Sequence, residues 1–470
     1  MKVQTKRTAL AAACAASALL ASGEALAVNW LKMQGTEPPG AAARARVWGF
    51  IQPEYQQTDG TKIGSGPWAG NPAVFNQVRP DLKSESGFNL IRARLGVRGT
   101  GFPLDSRVNY FLLAEFGNNG ITRQGGGSVK LTDASVTLNH IKGARIRVGM
   151  FKTPGADEGL RAIHVFDYIN FTNATNQLLL ERFFDGDGST NKTSLAAINK
   201  PNGPVGAFRD IGIQVFDWFT TGNWEHTYAV MVGNGNGITR GDNDDNRELY
   251  LYWASELLFP GASPFPSGSH LAPPSWSADH HGPRGARYQG LKLFAWYQDG
   301  KRTLTKENPG EYDRTRWGLG LTYRKGKWRG GAEYIRAKGM IFSGTDGGAV
   351  PGSQNGGGLY ADYNVETKGK ANGWYIDVGY LVHPKVELDL RYDVLNRNTN
   401  VAAKERQFET WTLGMQYFFN KKSRLIINYE FRDLEVVNPS AIANPNQRAA
   451  ALAAASAMDD RLSAQLLIIF

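Results

Sequence analysis

The chain has 470 residues, a formal net charge of +10 and a single cysteine, Cys14, which excludes internal disulfides and thiolate metal clusters. Glycine (55 residues) and aromatic residues (11%) are abundant although the mean hydropathy is only −0.37. The apolar and aromatic content excludes a disordered chain. This composition suits a membrane β-barrel, because only alternate strand residues meet lipid.

The first predicted element, residues 1–27, is a secretory signal peptide. A basic start precedes an apolar run over residues 8–22, and Ala25-Leu26-Ala27 places small residues at a cleavage site near Ala27. Lipid attachment at Cys14 is the alternative, but the apolar run continues past this cysteine, which favours a cleaved signal. Residues 28–45 have no clear pattern and are predicted to be a periplasmic lead-in.

Residues 46–470 are predicted to form an all-β, transmembrane antiparallel β-barrel of about 16 strands. Segments of roughly ten residues alternate between apolar and polar positions, as strands with one lipid-facing side do. In one of them, Leu388 and Leu390 alternate with Glu387 and Asp389. The segments lie near 46–55, 88–98, 106–116, 129–140, 144–151, 209–219, 224–233, 248–256, 286–298, 313–324, 327–336, 372–382, 385–395, 406–419, 423–433 and 460–470.

The connections between these segments alternate between short and long, which is typical of periplasmic turns and external loops in outer-membrane barrels. Residues 141–143 and 325–326 are examples of short connections, and residues 56–87 of a long one. The long third external loop, near 152–208, is the natural constriction of the pore. The Pro- and Gly-rich residues 257–285 break the alternation, so they are either an unusually long periplasmic turn or a sign that two strands were missed.

Tryptophans and the C-terminal residue suggest how the barrel sits and closes. Nine tryptophans within or at the ends of the strands are predicted to form two interfacial girdles: Trp48, Trp218, Trp224, Trp253, Trp296, Trp317, Trp328, Trp374 and Trp411. Phe470 ends the last strand, which is expected to pair with the first and to be recognised by the barrel-assembly machinery. Leu467 and Ile469 point inward by strict alternation, so we expect the lead-in to cover them at the periplasmic rim.

Arginines recur on the predicted inward face of three strands. Their apolar neighbours occupy the lipid-facing positions, so the arginines should line the pore and attract anions. They are Arg92, Arg94 and Arg98, then Arg145 and Arg147, then Arg314, Arg316 and Arg324. Acidic residues predicted to face inward are concentrated on other strands, which predicts a field across the pore with a net preference for anions. The alternative is that the arginines pair with these acids and only brace the wall.

Four motifs resemble the phosphate-selective porins of the O and P type from Gram-negative outer membranes. They are residues 90–99 (LIRARLGVRG), 148–154 (VGMFKTP), 209–214 (RDIGIQ) and 232–237 (VGNGNG). The resemblance is strongest from about 88 to 250 and thin thereafter. It implies a sixteen-stranded homotrimeric channel that passes phosphate by diffusion. It also implies anion-path roles for Arg92, Arg94, Arg98, Arg145, Arg147 and Lys152.

These features favour a passive outer-membrane porin for small anionic solutes. The remaining expected partners are outer-membrane lipid and lipopolysaccharide, with no nucleic acid. No catalytic constellation can be assembled, so we expect no enzyme activity, no cofactor and no metal site; Asp185-Gly186-Asp187-Gly188 lacks the turn glycine and the final glutamate of a calcium loop. The alternative function is a structural barrel that sheathes or anchors a periplasmic or surface partner, such as an electron-transfer conduit.

Overall fold

The structure is a computed structural model, and it describes most of the chain after residue 29. The predicted signal peptide, residues 1–27, lies outside the described residues, as does most of the predicted lead-in. The described ranges are 30–34, 44–58, 86–101, 105–119, 129–181, 206–238, 241–259, 289–304, 309–342, 349–351, 359–361, 365–420 and 422–470.

Sixteen antiparallel strands of the described chain close into one barrel, which confirms the predicted fold class. Every barrel strand pairs with its neighbour in sequence, and the last pairs with the first. The strands are β1 (Arg46–Thr58), β2 (Ser86–Thr100), β3 (Val108–Glu115), β4 (Lys130–Ile141), β5 (Ala144–Lys152), β6 (Arg209–Thr221), β7 (Trp224–Gly233), β8 (Glu248–Leu258), β9 (Gly290–Leu304), β10 (Gly310–Lys325), β11 (Trp328–Lys338), β16 (Lys370–His383), β17 (Val386–Arg397), β18 (Arg406–Asn420), β19 (Ser423–Val436) and β20 (Arg461–Ile469).

Short elements occupy the connections and the interior. Between β11 and β16, β12 (Ile341–Phe342) pairs with β15 (Val365–Glu366), and β13 (Ala349–Pro351) pairs with β14 (Leu359–Ala361). No helix in the described ranges is long and apolar enough to cross a membrane. The described α-helices are α1 (Trp30–Met33), α2 (Asp157–Leu160), α3 (Asn173–Leu178) and α4 (Pro445–Ala455).

Alternation along the strands separates a lipid face from a lumen face as predicted. In β17, Leu388 and Leu390 are exposed, whereas Glu387 and Asp389 between them are buried. The predicted girdle is wrong for three tryptophans, however, because Trp48, Trp218 and Trp296 are buried on the lumen side. Other tryptophans of that set are exposed on the outside: Trp253, Trp328, Trp374 and Trp411.

The long connection between β8 and β9 lies on the rim of the short turns. Leu257 pairs with Trp224, beside the turn that joins β6 and β7, and Gly290 pairs with Arg324, beside the turn that joins β10 and β11. β8 pairs directly with β9 from Leu249 to Leu258, so no further barrel strand lies between them. Of the two alternatives that the sequence left open for residues 257–285, an unusually long turn is therefore correct.

The barrel closes between β1 and β20, where Phe50 is opposite Ile469 and Thr58 is opposite Arg461. Leu467 and Ile469 are buried inward, in a cluster that also contains Trp48, Phe50 and Phe111. Ala162, on the interior loop described next, belongs to the same cluster. Neighbouring strands and that loop therefore cover the two side chains, and none of the described lead-in residues, 30–34 and 44–45, belongs to this cluster.

Candidate pore interior

Residues 153–181, here called the inner loop, run from the end of β5 into the lumen and reach the far wall. The Ile169 N–H donates to Asn428 Oδ1 at 2.8 Å, and Asn170 Nδ2 donates to Glu430 Oε2 at 2.9 Å. Both acceptors lie on β19. The predicted constriction segment therefore does enter the lumen over this part, while residues 182–205 lie outside the described ranges.

Lys152 fixes the start of the inner loop. Its Nζ donates to the carbonyl oxygens of Gly159 at 2.6 Å and Arg161 at 2.8 Å, so one ammonium group holds two backbone carbonyls at the end of α2. These carbonyls have no partner within such a short helix and need a donor of this kind.

An ion-pair triad anchors α2 to the wall. Asp157 accepts from Arg161 Nε at 2.6 Å and from Lys292 Nζ on β9 at 2.6 Å. Burial by itself would raise the pKa of Asp157, but the charges of Arg161 and Lys292 hold this pKa below its ordinary value. Asp157 is therefore ionised at neutral pH and ties the inner loop to β9.

The second half of the loop is fastened through Glu158 and α3. Thr172 caps α3, accepting a hydrogen bond from the Thr175 N–H, and donates its hydroxyl to Glu158 Oε2 at 2.6 Å. Arg391 Nη1 on β17 lies 3.3 Å from Glu158 Oε1. Burial raises the pKa of Glu158, and Arg391 opposes part of this shift. The loop is thus held by directed polar contacts with several strands.

A basic cluster lies between the inner loop and the β2, β5 and β6 wall. Its five cations line a cavity that contains about 460 Å³ of space not filled by atoms. Phe171 and Phe208 supply part of the apolar lining. The five cations are Arg92, Arg94, Lys152, Arg161 and Arg209.

The members of the basic cluster differ in how far acids neutralise them. Arg94 pairs with Glu115 at 2.7 Å, and Arg209 pairs with Asp133 at 3.1 Å. Arg92 donates to the neutral amide oxygen Oε1 of Gln52 at 3.2 Å and forms no ion pair with the described residues. A planar guanidinium has five N–H donors, so Arg92 retains donors for an anion in the cavity.

Two predicted site residues of β5 make close contacts within the wall. Arg145 pairs with Asp217 at 3.1 Å and stacks on Trp218 with its guanidinium carbon 4.3 Å from the ring centre. Arg147 lies 4.2 Å from the Phe216 ring centre. Both arginines are fully buried. Bracing of this kind is the alternative that the sequence left open.

Arg98 and Arg324 also lie on the inward faces of their strands. Arg98 is buried on the inward face of β2, 5.5 Å from the Phe111 ring centre. Arg324 is half-buried on β10, on the same face as Arg316.

Arg314 and Arg316 fasten the end of the inner loop. Arg314 donates from Nε to Glu181 at 2.5 Å and from Nη1 to Glu248 at 2.6 Å, and Arg302 also donates to Glu248 at 2.6 Å. Arg316 Nε donates to the Leu178 carbonyl at 3.0 Å. Burial alone would raise the pKa of Glu181, but the surrounding arginines, Arg314 first, lower it, so Glu181 is a carboxylate. All three arginines are thus paired with carboxylates, because Arg316 Nη2 also lies 3.4 Å from Glu181 Oε1.

The wall opposite the basic cluster is acidic. Arg329 on β11 pairs with Asp377 at 2.7 Å, Glu387 at 2.6 Å and Asp389 at 2.6 Å, so one cation is surrounded by three buried carboxylates. These acids lie on β16 and β17, which occupy the side of the barrel away from β2 to β6. The acids therefore lie on two of the strands where the sequence placed them, away from the arginines of β2 and β5.

Two members of the basic cluster were missing from the predicted site. Arg209 shares its parity with the outward-facing Ile211 and Ile213, yet it is buried. Ala207 and Phe208 have positive φ angles of 49° and 57°, which break the strand geometry immediately before Arg209. The alternation of apolar and polar residues therefore could not identify Arg209 as inward-facing. Arg161 was recognised in the sequence only as one of the basic residues of a loop with nearly equal numbers of basic and acidic residues.

Residues 30–34, here called the N-terminal segment, lie inside the barrel against β4 to β7, where the sequence predicted a periplasmic lead-in. Arg147 Nη2 donates to the Leu31 carbonyl at 3.1 Å and to the Gln34 carbonyl. Gln34 Nε2 donates to Asp133 Oδ1 at 2.6 Å, and Lys32 pairs with Glu225. No sequence pattern indicated these contacts.

The described residues contain no group of three or more His, Cys, Asp or Glu side chains placed to hold a metal ion. The calcium-like motif at residues 185–188 lies outside the described ranges.

Comparison with known proteins gives one family and a group of barrels. Residues 297–441 match the model of the family described as phosphate-selective porin O and P. No curated protein matches the chain. The match lies in the part of the chain where the sequence resemblance was expected to be thin, not between residues 88 and 250.

Three solved outer-membrane channels are similar to the structure at low sequence identity. OmpF of Salmonella typhi, solved with daunomycin, is 11% identical, with 91% of this chain and 97% of that chain covered and a TM-score of 0.50. The anion-selective porin of Comamonas acidovorans is 13% identical, with coverages of 91% and 100% and a TM-score of 0.48. The DcaP channel of Acinetobacter baumannii is 12% identical, with coverages of 93% and 100% and a TM-score of 0.49. Residues 297–441 are thus similar to the phosphate-selective porin O and P family, and the chain has the fold of a sixteen-stranded porin barrel.

Proposed function

We propose that the chain is an outer-membrane channel for passive diffusion of small hydrophilic solutes, and that it favours anions such as phosphate. The porin barrel and the family match support a channel in the outer membrane. Cleavage near Ala27, assembly as a homotrimer, and contacts with lipopolysaccharide and the barrel-assembly machinery belong to the same proposal.

The basic cluster is the observation that carries the anion preference. Arg92 and Arg94 enter it from one strand, Lys152 and Arg209 from two others, and Arg161 from the inner loop. A small anion in this cavity could accept hydrogen bonds from guanidinium groups, whose fork geometry matches phosphate and carboxylate oxygens. Because the hydrogen-bond partner of Arg92 is neutral, no ion pair with the described residues offsets its charge in the cavity.

The acidic wall opposite the basic cluster supports the same preference for anions. A cation drawn toward Asp377, Glu387 and Asp389 meets Arg329 among them, so that wall is partly neutralised. The basic cluster, with acids beside only some of its members, keeps a surplus of positive charge. An anion should therefore find its most favourable position beside β2 and the inner loop.

Replacing Arg92 by glutamine tests this assignment. One unit charge several ångströms from a hydrated ion contributes on the order of 1 kcal/mol, so anion-to-cation permeability should fall roughly two- to fivefold. The measurement is the reversal potential in planar bilayers, with phosphate, succinate and chloride compared. Arg107→Gln is the matched control, because Arg107 is an exposed arginine of the β2–β3 turn paired with Asp105 at 3.0 Å. Equal permeability ratios for the two variants would count against Arg92.

A barrel that sheathes a protein partner is the competing function. The inner loop and the N-terminal segment both lie inside the barrel, so a partner that filled the lumen would have to displace them. Co-purification of a stoichiometric protein after detergent extraction would favour this alternative over the channel.

A further inference from the structure

The N-terminal segment covers a stretch of the pore wall that is otherwise built to face water. Beneath it lie Asp133 on β4, Arg147 on β5 and Glu225 on β7, which are 0%, 0% and 2% exposed. In a sixteen-stranded barrel with an open channel, inward charged side chains of this kind line the water-filled lumen. The segment thus removes a charged part of the wall from solvent.

The contacts of the segment are directed at that wall through both side chains and backbone. Lys32 pairs with Glu225 and lies 5.9 Å from the Trp218 ring centre. Gln34 Oε1 accepts from the Lys152 N–H at 3.3 Å, and Gln34 Nε2 donates to Asp133. The segment is therefore seated in a specific site and connects to the residue that starts the inner loop.

The closed arrangement also leaves polar groups in the wall without partners. Gln214, which is opposite Arg147 in the β5–β6 ladder, is fully buried, and its amide oxygen and nitrogen have no hydrogen-bond partner among the described residues. Arg147 Nη1 and Ser135 Oγ are also buried and have no hydrogen-bond partner among the described residues. Water could satisfy these groups once the segment left, so their burial lowers the stability of the closed arrangement relative to an open one.

The length of the connection allows the segment to leave while it remains attached. Nine residues, 35–43, separate Gln34 from Arg44 beside the start of β1. A connection of this length can span on the order of 30 Å when extended. The segment can therefore move out of the lumen without any change in the barrel.

We propose that residues 30–34 are a displaceable plug that holds the channel closed on the β4 to β7 side. Its release would expose Arg147, Asp133 and Glu225 to the lumen and widen the path beside the basic cluster. The inference rests on the proposed channel, but it concerns how far the pore is open rather than which ion it prefers.

A charge swap at the Lys32–Glu225 pair tests the plug in the full-length protein. Lys32→Glu alone places two like charges together and should release the segment, raising single-channel conductance in symmetric salt roughly twofold or more as the open cross-section grows. Adding Glu225→Lys reverses the pair and should return conductance toward the wild-type value. Deletion of residues 30–34 should give the high conductance whatever residue 225 is.

Lys301→Ala is the matched control, because Lys301 is an exposed lysine paired with Glu311 at 3.2 Å. It should conduct like the wild type. Wild-type conductance in both Lys32→Glu and the deletion would overturn the plug while leaving the channel and its anion preference intact. No conductance in any variant, including the deletion, would overturn the plug and the channel together. Reversal potentials, recorded separately, test the anion preference alone.

Discussion

Gly49 and Phe470 form two backbone hydrogen bonds with each other at the seam of the barrel, where β1 meets the end of the chain. The Gly49 N–H donates to the Phe470 carbonyl at 3.1 Å, and the Phe470 N–H donates to the Gly49 carbonyl at 2.9 Å. A Cβ atom on Gly49 would lie 2.5 Å from the Phe470 Cζ atom and 2.5 Å from the Arg94 carbonyl oxygen. Only glycine fits between the aromatic ring and the neighbouring strand.

Gly49→Ala should therefore destabilise the barrel at its closure. Overpacking of this kind typically costs about 1–3 kcal/mol, and here one of the two atoms in the way is backbone. The expected result is a lower temperature for the loss of heat-modifiable migration on gels. Gly241→Ala is the control, because no atom lies within 4 Å of the added Cβ. Equal unfolding temperatures for the two variants would show that the seam tolerates the methyl group.

Asp157→Asn should loosen the inner loop. The carboxylate accepts from both Arg161 and Lys292, and removal of one partner from a buried ion pair costs about 3–5 kcal/mol. We expect more open-channel current noise as the loop moves, with the barrel still folded. Asp299→Asn, which changes an exposed aspartate bonded to Thr315, should leave the noise unchanged. A quiet Asp157→Asn channel would mean that the triad does not anchor the loop.

The same triad predicts how the channel responds to acid. The folded-state pKa of Asp157 lies below its ordinary value, because the neighbouring Arg161 and Lys292 outweigh the effect of burial. A carboxylate of this kind contributes stability that is complete above its unfolded pKa of about 3.9 and is lost as the pH falls through the folded value. In a Glu158→Gln background, which removes the other loop carboxylate whose pKa burial raises, current noise at about pH 5 should therefore equal that at neutral pH. A rise in noise already at about pH 5 would contradict this account.

Glu181→Gln should increase the preference for anions. Glu181 Oε1 pairs with Arg314 Nε at 2.5 Å, and Glu181 Oε2 lies 3.9 Å from Arg302 Nη2. Removing this negative charge beside the cavity should raise anion-to-cation permeability roughly two- to fivefold, by the same Coulomb estimate of on the order of 1 kcal/mol. Glu311→Gln, which breaks an exposed pair with Lys301, is the control. A shift toward cations in Glu181→Gln would show that Glu181 is not a counter-charge for the permeating ion.

Much of the barrel could be predicted because the lipid face imposes a period of two on every strand. The predicted and observed strands near 313–324 and 385–395 differ by only a few residues, and the faces of Leu388 and Glu387 were assigned correctly. The same rule failed where the backbone departs from strand geometry, as it does before Arg209. It also could not separate a lumen tryptophan such as Trp218 from a girdle tryptophan, since both lie on strands.

The interior was less accessible to sequence reasoning because long-range contacts decide it. The charges of the inner loop looked balanced, but folding directs Asp157 to Lys292 and Glu181 to Arg314, which leaves Arg92 with a neutral partner. The contact between Lys32 and Glu225 joins two parts of the chain that show no common pattern. The roles of Arg98, Arg145, Arg147 and Arg324 in ion passage stay predictions.

The proposed preference of this barrel for anions over cations is tested most directly by the reversal potential of the wild-type channel across a potassium chloride gradient. The account predicts a reversal potential with the sign of an anion-preferring pore, reduced in Arg92→Gln and unchanged in Arg107→Gln. A reversal potential with the sign of cation preference in the wild type would contradict it.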